Sequence, residues 1–253
     1  MRAVSCLLAA GLLLITGASA QSDEFRIDTD VFLGDAREPF AENVTIFTDG
    51  LVYDFPLAGP REITVFDPSG GRFVLLDVDR KVKTTLSIQE LLEFTAAMKV
   101  HAAEMGGWFA AAAEPDFEQQ HDGDGAVTMR ARLLAYRAQG QRPEIRAAVA
   151  TYREFADWYA RLNATRPGSL PPFARIELNR VMAERDLIPD EVELTLSPPD
   201  HSSDRTVVIR SRHLPSWRVS SADRKRIETA GIYMAEFRAV GFAEYRQGWQ
   251  KQR

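Results

Sequence analysis

Between residues 25 and 86 the chain runs through six short apolar-rich segments with only brief polar turns between them. In the first, Phe25, Ile27, Thr29, Val31 and Leu33 alternate with polar residues. Residues 44–47 and 51–55 follow, divided by Asp49-Gly50, a dipeptide suited to the positive φ angles of a two-residue hairpin turn. Residues 62–66 lead into Asp67-Pro68-Ser69-Gly70-Gly71, a second turn, and residues 72–76 and 82–86 close the set. Parallel strands need long crossover connections, so turns this short restrict the region to an antiparallel meander.

Helical spacing takes over at Ser87. Ser87-Ile88-Gln89-Glu90 is a capping box, and Ile88, Leu91, Leu92, Thr95, Met98, Ala102 and Met105 recur behind it until Gly106-Gly107. Residues 114–125 read as an acidic loop and residues 127–136 as a strand. Pro143 opens a second helix with Ile145, Val149, Tyr152, Phe155, Tyr159 and Leu162 inward, stopped by Pro167-Gly168. Pro171-Pro172 opens a third, carrying Phe173, Ile176, Leu178 and Met182. Residues 192–196 and 206–212 read as a hairpin with a long loop. Ser220 caps a final helix with Ile227, Ala230, Met234 and Phe237 inward. The predicted class is α+β: an antiparallel β-sheet meander covered on one face by about four helices.

The first 20 residues read as an export signal. Arg2 supplies a positive start, residues 3–15 are almost wholly apolar, and Ala18-Ser19-Ala20 is a small-x-small cleavage site. Cleavage after Ala20 leaves a single exported domain, residues 21–253, with net charge −6 and no cysteine, since Cys6 departs with the signal. A thiol-free exported chain fits a bacterial periplasm or extracellular setting better than a disulfide-dependent secretory one. With 45% apolar and 26% charged residues the chain is neither disordered nor a multi-span membrane protein, and its pI near 5.5 argues against a nucleic-acid partner.

Chemistry-bearing motifs are sparse. Four histidines fall in no zinc signature, and His101 has only Glu104 nearby. Asp200, His201 and Ser202 hold the residue types of a hydrolase triad, but adjacent in one loop instead of converging from separate elements. The carboxylates of the acidic loop, Asp116, Asp122 and Asp124 among them, are the residue type that gathers calcium, although Ala126 stands where an EF-hand loop needs an oxygen ligand. Residues 201–253 carry +6 against −12 for residues 21–200, with Trp217, Tyr245 and Trp249 among Arg218, Arg238, Arg246, Lys251 and Arg253. Such a basic end either meets an anionic surface or pairs with the acidic remainder of its own molecule.

The stretch Thr48-Asp49-Gly50-Leu51-Val52-Tyr53-Asp54-Phe55, within the strand run of residues 25–86, resembles the strand region of periplasmic lipoprotein-carrier proteins. The resemblance implies an antiparallel half-barrel covered by helices that shelters acyl chains. It spans about a quarter of the chain and assigns no binding residue. From the residues themselves the leading expectation is a non-enzymatic envelope protein holding an apolar ligand or a protein partner in a sheet–helix groove. No cofactor is implied. Leu91, Met98 and Met105 on the first helix would face the groove, and Met98→Glu would weaken binding. The alternatives are a secreted hydrolase with an unrecognised site and an interaction module without a small ligand.

Overall fold

A computed structural model describes residues 23–48, 50–122, 125–198 and 205–250, giving the backbone alone at 121–122 and 248–250. Six strands run in sequence: β1 (Phe25–Leu33), β2 (Ala41–Phe47), β3 (Val52–Pro56), β4 (Glu62–Asp67), β5 (Arg72–Asp77) and β6 (Val82–Ser87). Each pairs antiparallel with the next, as the short turns require. Gly50 and Gly71 take φ of 97° and 58° in two of those turns, a region that costs glycine nothing.

Helix α1 (Ile88–Met105) starts from the Ser87–Glu90 capping box and stops at Gly106. A short helix the sequence reading did not include, α2 (Gly107–Ala113), follows directly. The acidic segment is not all loop. Strand β7 (Glu118–Asp122) is a polar edge strand paired with β8 (Ala126–Arg130), which pairs in turn with β9 (Leu134–Gln141). A strand on a sheet edge needs no apolar alternation, so its period gives no signal. Helices α3 (Ala148–Ala164) and α4 (Phe173–Ala183) precede the hairpin of β10 (Ile188–Leu196) and β11 (Val207–Ser216). Helix α5 (Ser221–Glu236), the two-residue β12 (Arg238–Ala239) and α6 (Phe242–Gln250) complete the described chain.

All strands join one 12-stranded sheet in the order β12-β6-β5-β4-β3-β2-β1-β11-β10-β9-β8-β7, antiparallel except at β12–β6. Two meanders thus meet where β1 pairs with β11. Directly paired residues point to the same side, which lets the register trace a face across the sheet. The row Val31, Ser211, Val192, Ala138, Val127 shares the side of Phe25 and Phe47. On that side α1, α3 and α6 cover β1–β6 through Leu91, Phe155, Leu162 and Tyr245, while α2 and α4 cover β8–β10 through Ala112, Leu178 and Met182.

Helix α5 lies on the opposite side, where Ala230 and Phe237 pack on Val44, Ile46, Tyr53, Phe55, Val65, Val74 and Leu76. Helices therefore cover both faces of β2–β5, not one. The reason is in the strands: Thr45-Ile46-Phe47 and Phe73-Val74-Leu75-Leu76 are buried without alternation, and a strand apolar on both sides needs cover on both. Among the described residues no helix is long and apolar enough to cross a membrane.

Candidate functional site

Among the described residues, a groove beside α5, a histidine seam at β1–β11 and an ionic seam under α3 and α6 gather polar groups or unfilled space.

The groove depends on how α5 is held. Ser220 and Asp223 form a capping box in which the Ser220 hydroxyl accepts from the Asp223 N–H at 3.1 Å, and the Asp223 carboxylate accepts from the Ser220 N–H at 3.0 Å. Asp223 is fully buried and also accepts from Arg26 of β1 at 2.9 Å and Arg226 at 3.0 Å. Burial alone would raise its pKa, but the hydrogen bonds from Ser220 and Arg26 outweigh burial and hold the carboxyl below its usual value. At the far end Lys83 of β6 donates to the Met234 carbonyl, and Tyr233 stacks on Phe237 at 4.6 Å. Ser220→Ala removes one side of the cap, with an expected cost of about 1 kcal/mol in a urea titration.

Between those anchors α5 turns Ala222, Lys225, Arg226, Thr229 and Tyr233 toward Phe55, Pro56, Arg61, Ile63 and Val78. Ala222 and Thr229 are too short to fill the space against the sheet, and a groove of about 360 Å³ remains. That lies within the usual range for small-molecule sites. Its floor is apolar and its lining carries three cations and no acid. Arg61 pairs with exposed Asp79 at 3.2 Å and Arg226 with Asp223, whereas Lys225 joins no ion pair among the described residues.

The histidine seam has the outline of a nucleophile–base pair. Ser211 Oγ lies 2.9 Å from His213 Nε2, and Thr29 Oγ1 lies 3.2 Å from Nδ1. Electrostatics oppose that role. Burial, reinforced by the nearby Arg175 cation, pushes the His213 imidazole down to about 3. A general base works best with a pKa near the operating pH, and a threonine hydroxyl does not stabilise an imidazolium as a carboxylate does. The arrangement suits a neutral ring that ties β1 to β11. The Ser-x-His spacing within one strand was the signal available in the sequence.

In the ionic seam, buried Asp54 accepts from Asn43, Thr45 and Tyr159, each at 2.8 Å. Burial raises its carboxyl pKa in spite of those bonds. Glu62 holds Arg166 at 3.2 Å and Arg246 at 3.9 Å. Tyr159 and Arg166 thereby dock α3 and the turn behind it, and Arg246 docks α6.

The sequence-predicted residues fall elsewhere. Leu91 is wholly buried in the core, Met98 is half-buried and Met105 is 53% exposed, and none lines the α5 groove or the small space between α3, α4 and β10. The space between α3, α4 and β10 amounts to about 10 Å³, room for about one water. Asp116 is exposed; the Asp122 side chain and Asp124 lie outside the described residues, among which no metal-holding group of three ligands occurs. Asp200, His201 and Ser202 also lie outside them. His101 is exposed with Glu104 at 3.3 Å. In the basic C-terminal region Arg224 and Arg238 pair with Glu24 and Glu244, Tyr245 is fully buried, and Trp217 packs 5.7 Å from Phe25. No protein-family model matches the chain, and no curated protein matches it.

Proposed function

We propose that this chain is an exported, non-enzymatic envelope protein that binds an apolar ligand in the groove between α5 and strands β3–β5. The observation that carries the reading is the groove itself: about 360 Å³ bounded by Phe55, Ile63, Val78 and Tyr233 beside the sheet–helix cluster under α5. Export rests on the leader-like residues 1–20. The buried His213, too weak a base for its serine, favours binding over catalysis.

The test is binding of a hydrophobic fluorescent dye to the mature chain, residues 21–253. Thr229→Trp places an indole in the groove and is expected to weaken dye binding at least about tenfold. Met98→Glu on α1 is expected to leave it unchanged. Equal binding by wild type and Thr229→Trp contradicts the reading.

A second reading, a docked segment of an envelope protein, draws on a separate observation. Leu57 donates its backbone N–H to Glu42 at 2.8 Å, which extends the β2–β3 ladder past Phe55. Leu57 and Phe40 stand 51% and 59% exposed on that continuation. A peptide longer than the groove would meet both, and Leu57→Asp would weaken it without touching a small ligand.

A further inference from the structure

We infer that the groove ligand is a small amphiphilic anion, with an aromatic or aliphatic body on the Phe55–Ile63–Tyr233 side and a carboxylate-type head on Lys225; this rests on the ligand-binding reading above. Three observations converge on it. The chain as a whole is acidic, yet the ten groove-lining residues include Arg61, Lys225 and Arg226 and no acid. A cationic recess on an anionic protein stands against the average field and selects negative charge.

The three cations are not equivalent. Arg61 already holds Asp79, and Arg226 already holds the buried Asp223. Lys225 joins no ion pair among the described residues, so its ammonium is the one charge of the three left uncompensated. The neighbouring Thr229 hydroxyl cannot substitute, because its proton is committed to the Lys225 carbonyl at 2.8 Å. Donors at the lip and an apolar floor sort a ligand end to end: the head stays at the wet rim and the body displaces water below. Size sets the third limit. A space of about 360 Å³, at the small end of the range for ligand sites, takes a bicyclic ring or a short chain and not a double-tailed lipid.

The decisive experiment compares 2-naphthoate with its neutral isostere 2-naphthamide on the mature protein, by calorimetry at low and high salt. The pair shares one apolar body, so their difference reports the head alone. The expected result is naphthoate binding at least about tenfold tighter, an advantage that shrinks with salt as a rim charge contact should. Lys225→Gln is expected to remove most of the naphthoate advantage, bringing the two ligands to similar affinities; Lys225 is exposed, so the variant keeps the fold. Thr229→Trp is expected to abolish both. If the two ligands bind wild type equally and Thr229→Trp removes both, the anion proposal falls and the groove reading stands. If neither ligand binds, the groove reading falls and takes this proposal with it.

Discussion

Acidifying the protein from pH 7 to pH 3 is expected to remove about 4 kcal/mol of folding stability through His213 alone. The imidazole has an ordinary pKa of 6.5 and is depressed to about 3 in the fold, by burial first and Arg175 second. Between those values the unfolded chain binds a proton that the folded one refuses. Stability at this site is therefore full above pH 6.5, falls steadily below it, and levels off only beneath the folded pKa. At about 1.36 kcal/mol per unit the loss reaches about 3 kcal/mol by pH 4. Urea unfolding at pH 7 and pH 4 measures it directly. His213→Gln keeps hydrogen-bonding groups beside Ser211 and Thr29 but does not titrate, so its two midpoints should lie much closer together than those of the wild type. An unchanged acid sensitivity in His213→Gln would mean that the ring is already solvated in the native protein.

Phe73→Ala is the second large effect. Phe73 lies on β5, fully buried, stacked on Phe66 at 4.6 Å, in the cluster shared by Leu91, Phe155 and Tyr245. Neighbouring strands and covering helices hold the site open, so truncation leaves a cavity and not a collapse. The expected loss is about 3–5 kcal/mol. A typical domain has about 5–15 kcal/mol in total, so the variant should lose a large share of its stability and melt about 6–20 °C lower. Leu92→Ala on the exposed side of α1 supplies the comparison and should shift the melt little. Similar melts for the two variants would contradict the placement of the core on the β5 faces.

Where the sequence was legible, a local signal and its tertiary setting agreed. The alternation in β1 and both serine caps are read from a few residues, and the structure keeps them in place; Asp49 of the expected hairpin turn lies outside the described residues, while Thr48 and Leu51 on either side are joined by a backbone hydrogen bond at 3.0 Å. Strand β7 and helices α2 and α6 were missed for different reasons. Glu118-Gln119-Gln120 shows no apolar alternation because it edges the sheet, and α2 and α6 are too short for helical spacing to accumulate. The groove was the least visible feature. The spacing of apolar positions on α1 points to Met98 and Met105, but spacing gives a helix face only relative to its own axis. Which helix sits loosely depends on partners far away in sequence. Phe55 and Thr229 line one groove because Ala230 and Phe237 pack α5 on the strands while Arg26 and Lys83 hold its two ends. One hint was present: Val74 and Leu76 beside Phe73 and Leu75 announce a strand buried on both faces, and hence a helix on the second face.

The central claim, that the sheet–helix space beside α5 receives the ligand, is tested most directly by backbone amide shift mapping of residues 21–253 titrated with 2-naphthoate. The account requires the largest changes at Phe55, Ile63, Lys225, Thr229 and Tyr233, saturating together with one affinity. Saturating changes centred on Leu91, Met98 and Met105 of α1, with the α5 residues still, would contradict it.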